Sequence, residues 1–187
     1  MLPQAKLGGL AALGFATTIV VANLIAIPAA PAFPGASAAL TPLAWLCATV
    51  FGAAAVAVLG PSLWPLVGFA GLLLQNATFA GVIALRLALT ESTTPALQAA
   101  HDALFTLNGT FLAVALLGLS LVSFVPRWQC TLGLTAAALL FTSATITPLA
   151  GDGVAMLGLV GWLLWVAWLV AYGWRLLQTP APQPTAA

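Results

Sequence analysis

"LWPLVGFAGLLLQNATFAGVIALRLAL" runs from Leu63 to Leu89 with a single charged residue, Arg86, near its end. A helix needs roughly 20 mainly apolar residues to cross a membrane, because the hydrocarbon is about 30 Å thick and each residue rises about 1.5 Å. This run is longer than that. Nor is there a polar surface elsewhere to cover it. The 187-residue chain is 63% hydrophobic and 4% charged, whereas an ordinary soluble domain carries about 25% charged residues. The solvent must be lipid, and the chain reads as an integral membrane protein.

Five more stretches of this kind flank the first. One runs from Leu7 to about Ile27 and stops at Pro28; a second runs from Pro42 to Leu59 and ends at Gly60-Pro61. After Leu89, a fourth starts at Pro95 and ends at Val125, before Pro126. A fifth runs from Trp128 to Thr147, and a sixth from about Val154 to Leu177. The breaks hold residues that end helices: proline lacks an N–H and clashes with the preceding turn, and glycine loosens the backbone. In "STTPA" (Ser92–Ala96) a threonine precedes a proline at the first helical position, where the missing N–H costs nothing. The expected fold is all-α: a bundle of six transmembrane helices forming one domain over residues 1–177. The polar, proline-rich Gln178–Ala187 reads as a disordered tail.

Lys6, the apolar run after it and the small residues Ala36-Ser37-Ala38 also fit a secretory signal with a cleavage site. A signal core is about 7–15 residues long, shorter than this run. Thr17, Thr18 and Asn23 interrupt it, as suits a helix packed on others, so a retained helix is expected.

Orientation follows from the cations, which stay on the cytoplasmic side. With both termini cytoplasmic, Lys6, Arg127 and Arg175 fall inside and Arg86 outside. All three carboxylates, Glu91, Asp102 and Asp152, then fall outside with the one histidine, His101. Trp45, Trp64, Trp128 and Trp174 stand at expected helix ends, where an amphipathic indole prefers to lie. "LVGF" at Leu66 and "LVGW" at Leu159 hint at a three-plus-three repeat, but their spacing to Arg86 and Arg175 differs. The single lysine and the abundant Ala, Leu, Gly and Pro suggest a GC-rich bacterial genome, hence a cytoplasmic (inner) membrane.

The composition excludes several chemistries. A net charge of +1 leaves no basic face for nucleic acid. Cys47 and Cys130 form no metal-binding spacing. One histidine cannot supply the roughly three protein ligands of a catalytic zinc or both axial ligands of a bis-histidine haem. No lysine lies within a span, so a retinal Schiff base has no anchor there. A nucleophile would need His101 as its base; a pairing with Cys47 is conceivable, but the spacing does not support it. No cofactor is expected.

Two groups of polar residues remain. Arg86, Glu91, His101 and Asp102 gather at one side of the membrane. They read either as a polar mouth that meets an anion or relays a proton, or as helix ends anchored in water. Gln75 and Asn76 lie near mid-bilayer and need partners. Candidates are Thr18, Asn23, Asn108, Thr110, Thr142, Ser143 and Thr145. Gln75 and Arg86 share one helical face, as do Asn108 and His101. Together they could line a path inward, or act as glue between helices. Trp162, Trp165, Trp168 and Tyr172 spread over one side of the last helix, as a wall for a lipophilic ligand or as a packing or lipid-facing surface.

"HDALFTLNGTFLAVALLGLSLVSFVPRWQCTLGLTAAAL" (His101–Leu139) resembles a family of uncharacterised bacterial membrane proteins with six or seven helices, through His101, Pro126, Arg127, Trp128 and Gly133. The resemblance implies a multi-pass bundle in the cytoplasmic membrane and no particular activity. The expected function is therefore a small multi-pass protein without its own catalysis, surrounded by membrane lipid, that binds a membrane-protein partner or a lipophilic small molecule. The alternatives are a small-solute carrier with an outer-facing polar path and an intramembrane enzyme using His101 and Asp102.

Overall fold

The computed structural model describes residues 3–26, 36–150 and 155–180. Six helices, and no strand, occur among the described residues: α1 Gln4–Val21, α2 Ala36–Leu59, α3 Leu63–Glu91, α4 Pro95–Ser120, α5 Arg127–Ala150 and α6 Ala155–Gln178. All six are long and apolar enough to cross a membrane, which makes the protein a multi-pass membrane protein. Gly151–Val154, including Asp152, and most of the expected tail, residues 181–187, lie outside the described residues.

Local chemistry accounts for the helix ends. α1 passes into a π-helical turn, Ala22–Ala26. There the Asn23 amide donates to the carbonyl of Ile19 at 2.8 Å, competing with the backbone N–H that an α-turn would place on it. α2 starts at Ala36, earlier than expected, and carries Pro42 inside it. Membrane helices tolerate such a proline because neighbouring polar side chains and local adjustments satisfy the freed carbonyl. Gly60 follows α2 with φ +83°, the left-handed conformation that closes a helix most cheaply with glycine. α4 opens as its Thr-Pro pair predicts: the Thr94 hydroxyl accepts from the N–H of Leu97 at 3.3 Å, with Pro95 in the first turn. It ends at Ser120, short of the expected Val125. Residues before a proline avoid helical backbone, and the chain turns instead, with the Val125 N–H bonded to the Val122 carbonyl at 3.1 Å. The Pro126 carbonyl then accepts from Cys130 at 2.9 Å as α5 begins.

The chain forms two compact units. The first comprises residues 1–60 with those from Leu169 onward. In it α1 presents Gly8 to Ala54 of α2 and Gly9 to Gly173 of α6. Phe51 meets the ring of Tyr172 edge-on at 5.4 Å. The second unit, Pro61–Trp168, holds α3, α4, α5 and the first part of α6.

In the second unit α3 and α4 are antiparallel neighbours joined by Ser92–Thr94. Their approach is set by small residues. A Cβ on Gly71 would lie 2.5 Å from the backbone nitrogen of Ala115, and Gly118 sits directly on the backbone of Gly68. Lipid supplies no hydrophobic drive to join helices, so close backbone contact and dispersion must do it.

Candidate functional site

Gln75 lies on the face of α3 that carries Gly68, Gly71, Leu72, Phe79 and Val82. It is 5% exposed, and its Nε2 donates to Oδ1 of Asn108 on α4 at 3.0 Å. Of the partners expected for the mid-membrane amides, Asn108 is the one that meets Gln75. Several others turn to their own helix. Thr18 donates to Gly14 at 2.6 Å and Thr110 to Thr106 at 3.2 Å; Thr145 donates to Phe141 at 2.9 Å. A hydroxyl can always back-bond to the preceding turn, whereas an amide is better served across the gap. Asn76 is half-buried, one step round α3 from Gln75.

The other expected residues collect at the α3–α4 tip. His101 Nδ1 stands 3.0 Å from Oδ1 of Asp102, with the imidazole side chain 16% exposed and the carboxylate 63%. The same oxygen accepts from Nε2 of Gln98 at 2.9 Å. Phe105, one turn on, stacks on the imidazole with centroids 6.4 Å apart. All four residues belong to α4. Glu91 is exposed at the end of α3. Arg86 is half-buried and makes no ion pair or hydrogen bond with any described residue.

This geometry fixes one nitrogen of His101 against a carboxylate and leaves Nε2 as the ring's other hydrogen-bonding atom. It orients an imidazole for proton exchange or hydrogen bonding. Among the described residues no three His, Cys, Asp or Glu gather as a metal site. Cys47, in the first unit, packs on α1, where a Cβ on Gly14 would be 3.0 Å from its sulfur.

No protein-family model, curated protein or solved structure matches the chain.

Sequence reasoning missed a second buried polar group, at the other end of α4. Ser120 and Gln129 are each 1% exposed. Gln129 Nε2 donates to the carbonyl of Trp168 at 3.4 Å. The Ser120 hydroxyl abuts Gly133, which also lies against the Trp168 indole. Both polar residues flank the Pro126 turn and so resembled interfacial residues. The one signal was Gly133, four residues after Gln129 and thus on its face. Trp165 and Trp168 are 3% and 1% exposed, which makes them packing residues.

Proposed function

We propose that the protein binds rather than catalyses: a small multi-pass membrane protein that engages a membrane partner or a lipophilic ligand. In this reading both termini are cytoplasmic and the protein resides in the cytoplasmic (inner) membrane. The Gln75–Asn108 hydrogen bond is the observation that carries it. The buried mid-membrane amide of Gln75 is engaged across the helix pair, as helix glue requires. The histidine is held by a neighbour on its own helix, not by a nucleophile–base constellation spanning several elements.

Native mass spectrometry of the full chain in mild detergent tests the proposal. A stoichiometric lipid, small molecule or polypeptide on the protein is the expected result. A bare monomer would overturn it, and loss of solute uptake on its removal would put the carrier reading in its place.

A carrier remains the second reading, favoured by the shared faces of Gln75 with Arg86 and of Asn108 with His101. It requires Gln75→Ala or Asn76→Ala to stop solute flux into proteoliposomes while the fold survives. An enzyme would instead lose activity with His101→Ala alone.

A further inference from the structure

The α3–α4 tip holds an arginine that the described protein leaves unpaired. Arg86 follows Gly68 by five whole turns at about 3.6 residues each. It therefore continues the face through which Gly68 and Gly71 touch α4. It is half-buried, with no ion pair or hydrogen bond among the described residues. A long cationic side chain near the end of a membrane helix extends to the headgroup zone, where lipid phosphate is the anion it meets.

The length of α3 and the position of Trp64 set its depth. α3 has 29 residues, about 43 Å at 1.5 Å each, against about 30 Å of hydrocarbon. With Trp64 at one interface, as its indole prefers, about 20 residues carry the helix across. The chain then reaches headgroup depth near Arg86. The pairing with α4 brings His101 to the same depth. Gly81 lies against Leu104, so in this antiparallel pair Arg86 is level with Ala99, about 3 Å along the axis from His101. His101 shares a face with Asn108, two turns away. Its Nδ1 is taken by Asp102, so Nε2 is the nitrogen it can offer.

The tip also carries Glu91 and Asp102, both exposed. A purely anionic headgroup would meet two carboxylates for one guanidinium. A headgroup that joins a phosphate to an ammonium meets a partner for each charge. We propose that the tip binds the phosphate and amine of an aminophospholipid headgroup. Arg86 takes the phosphate oxygens, the group a guanidinium fork matches best, and His101 Nε2, the ring's acceptor when Nδ1–H is given to Asp102, receives an N–H of the ammonium, which a quaternary choline cannot donate. The ammonium lies toward Asp102 and Glu91. This rests on the binding reading above and names its ligand class. A water-soluble phosphoethanolamine ester carries the same chemistry.

The test is native mass spectrometry of the full chain with equal amounts of phosphatidylethanolamine, phosphatidylcholine and phosphatidylglycerol. Wild type is expected to retain phosphatidylethanolamine over the other two. Arg86→Gln should lower retention of phosphatidylethanolamine by roughly tenfold, as for one lost hydrogen bond to a charged group. Arg86→Lys should keep part of it, which separates a lost site from a lost fold. Glycerophosphoethanolamine at millimolar level decides the source: displacement of lipid assigns the site to the free ester, and no displacement assigns it to the bilayer lipid. Equal retention of all three lipids overturns the proposal, as does an Arg86→Gln protein that binds like wild type. A polypeptide or another lipophile held equally by wild type and Arg86→Gln removes this site and leaves the binding reading standing. A wild type that holds nothing removes both.

Discussion

From Pro65 to Leu72, α3 buries Pro65, Gly68, Gly71 and Leu72, and α4 buries seven residues between Leu112 and Ser120. Toward the tip the picture reverses. Beyond Val82 no residue of α3 is fully buried, and from Pro95 to Phe111 none of α4 is. Leu87 is 57% exposed and Phe105 54%. One hairpin thus holds two kinds of surface. At the glycine end the two backbones touch, and side chains are small because anything larger would part the helices. At the tip the helices hold polar groups at the membrane boundary and bury little. Lipid explains both: it rewards close backbone packing in the hydrocarbon and tolerates charge where it gives way to water.

Substitutions can break this contrast. Gly71→Leu should have the largest effect, because a Cβ there already meets the Ala115 backbone at 2.5 Å. Overpacking of this kind costs about 3 kcal/mol, and the unfolding midpoint in detergent should fall sharply or folded protein be lost. Asn108→Leu, midway, leaves the buried Gln75 amide without its acceptor, at a cost of about 1–3 kcal/mol. Adding Gln75→Leu should recover part of that, and a double-mutant cycle should return a coupling of about 0.6–1.7 kcal/mol. Thr94→Ala removes the cap of α4 at the tip and should cost about 1 kcal/mol. It should also speed amide exchange in the first turn of α4 without touching exchange near Gly118. Asp102→Asn should be the mildest, below about 1 kcal/mol, because this carboxylate is 63% exposed and screened by water. A loss at Asp102 as large as at Gly71 would erase the distinction between the two ends.

Six spans were legible because long apolar runs and proline breaks report the solvent directly. The start of α4 was legible too, since Thr94-Pro95 carries its own mechanism. The early start of α2 was not. Pro42 reads as a first-turn residue, and only the surrounding fold allows it inside a helix. In the site, the need of Gln75 for a polar partner followed from the expense of an amide in hydrocarbon, but a partner on α4 rather than on α1 or α5 did not. The choice of Asn108 over Thr110 did not, because hydroxyls satisfy themselves within their own turn and amides do not. Ser120 and Gln129 were hidden for a related reason: beside a turn, polarity signals water, and burial there depends on Gly133 letting Trp168 close over them.

The link Ser92–Thr94 has a consequence for synthesis of the protein. Three residues cannot let α3 settle in the membrane while α4 waits outside it. The two helices must be delivered as a pair, side by side, before either is fixed. In the proposed orientation Arg86, Glu91, His101 and Asp102 then cross in one event. On an insertion scale Arg or Asp at mid-helix costs about 2.5–3.5 kcal/mol, while each Leu, Ile, Phe or Val returns about 0.3–0.6 kcal/mol. The leucine-rich length of α3 and α4 is thus what carries a polar cargo through the bilayer, and shortening either helix should strand the tip on the side where it was made.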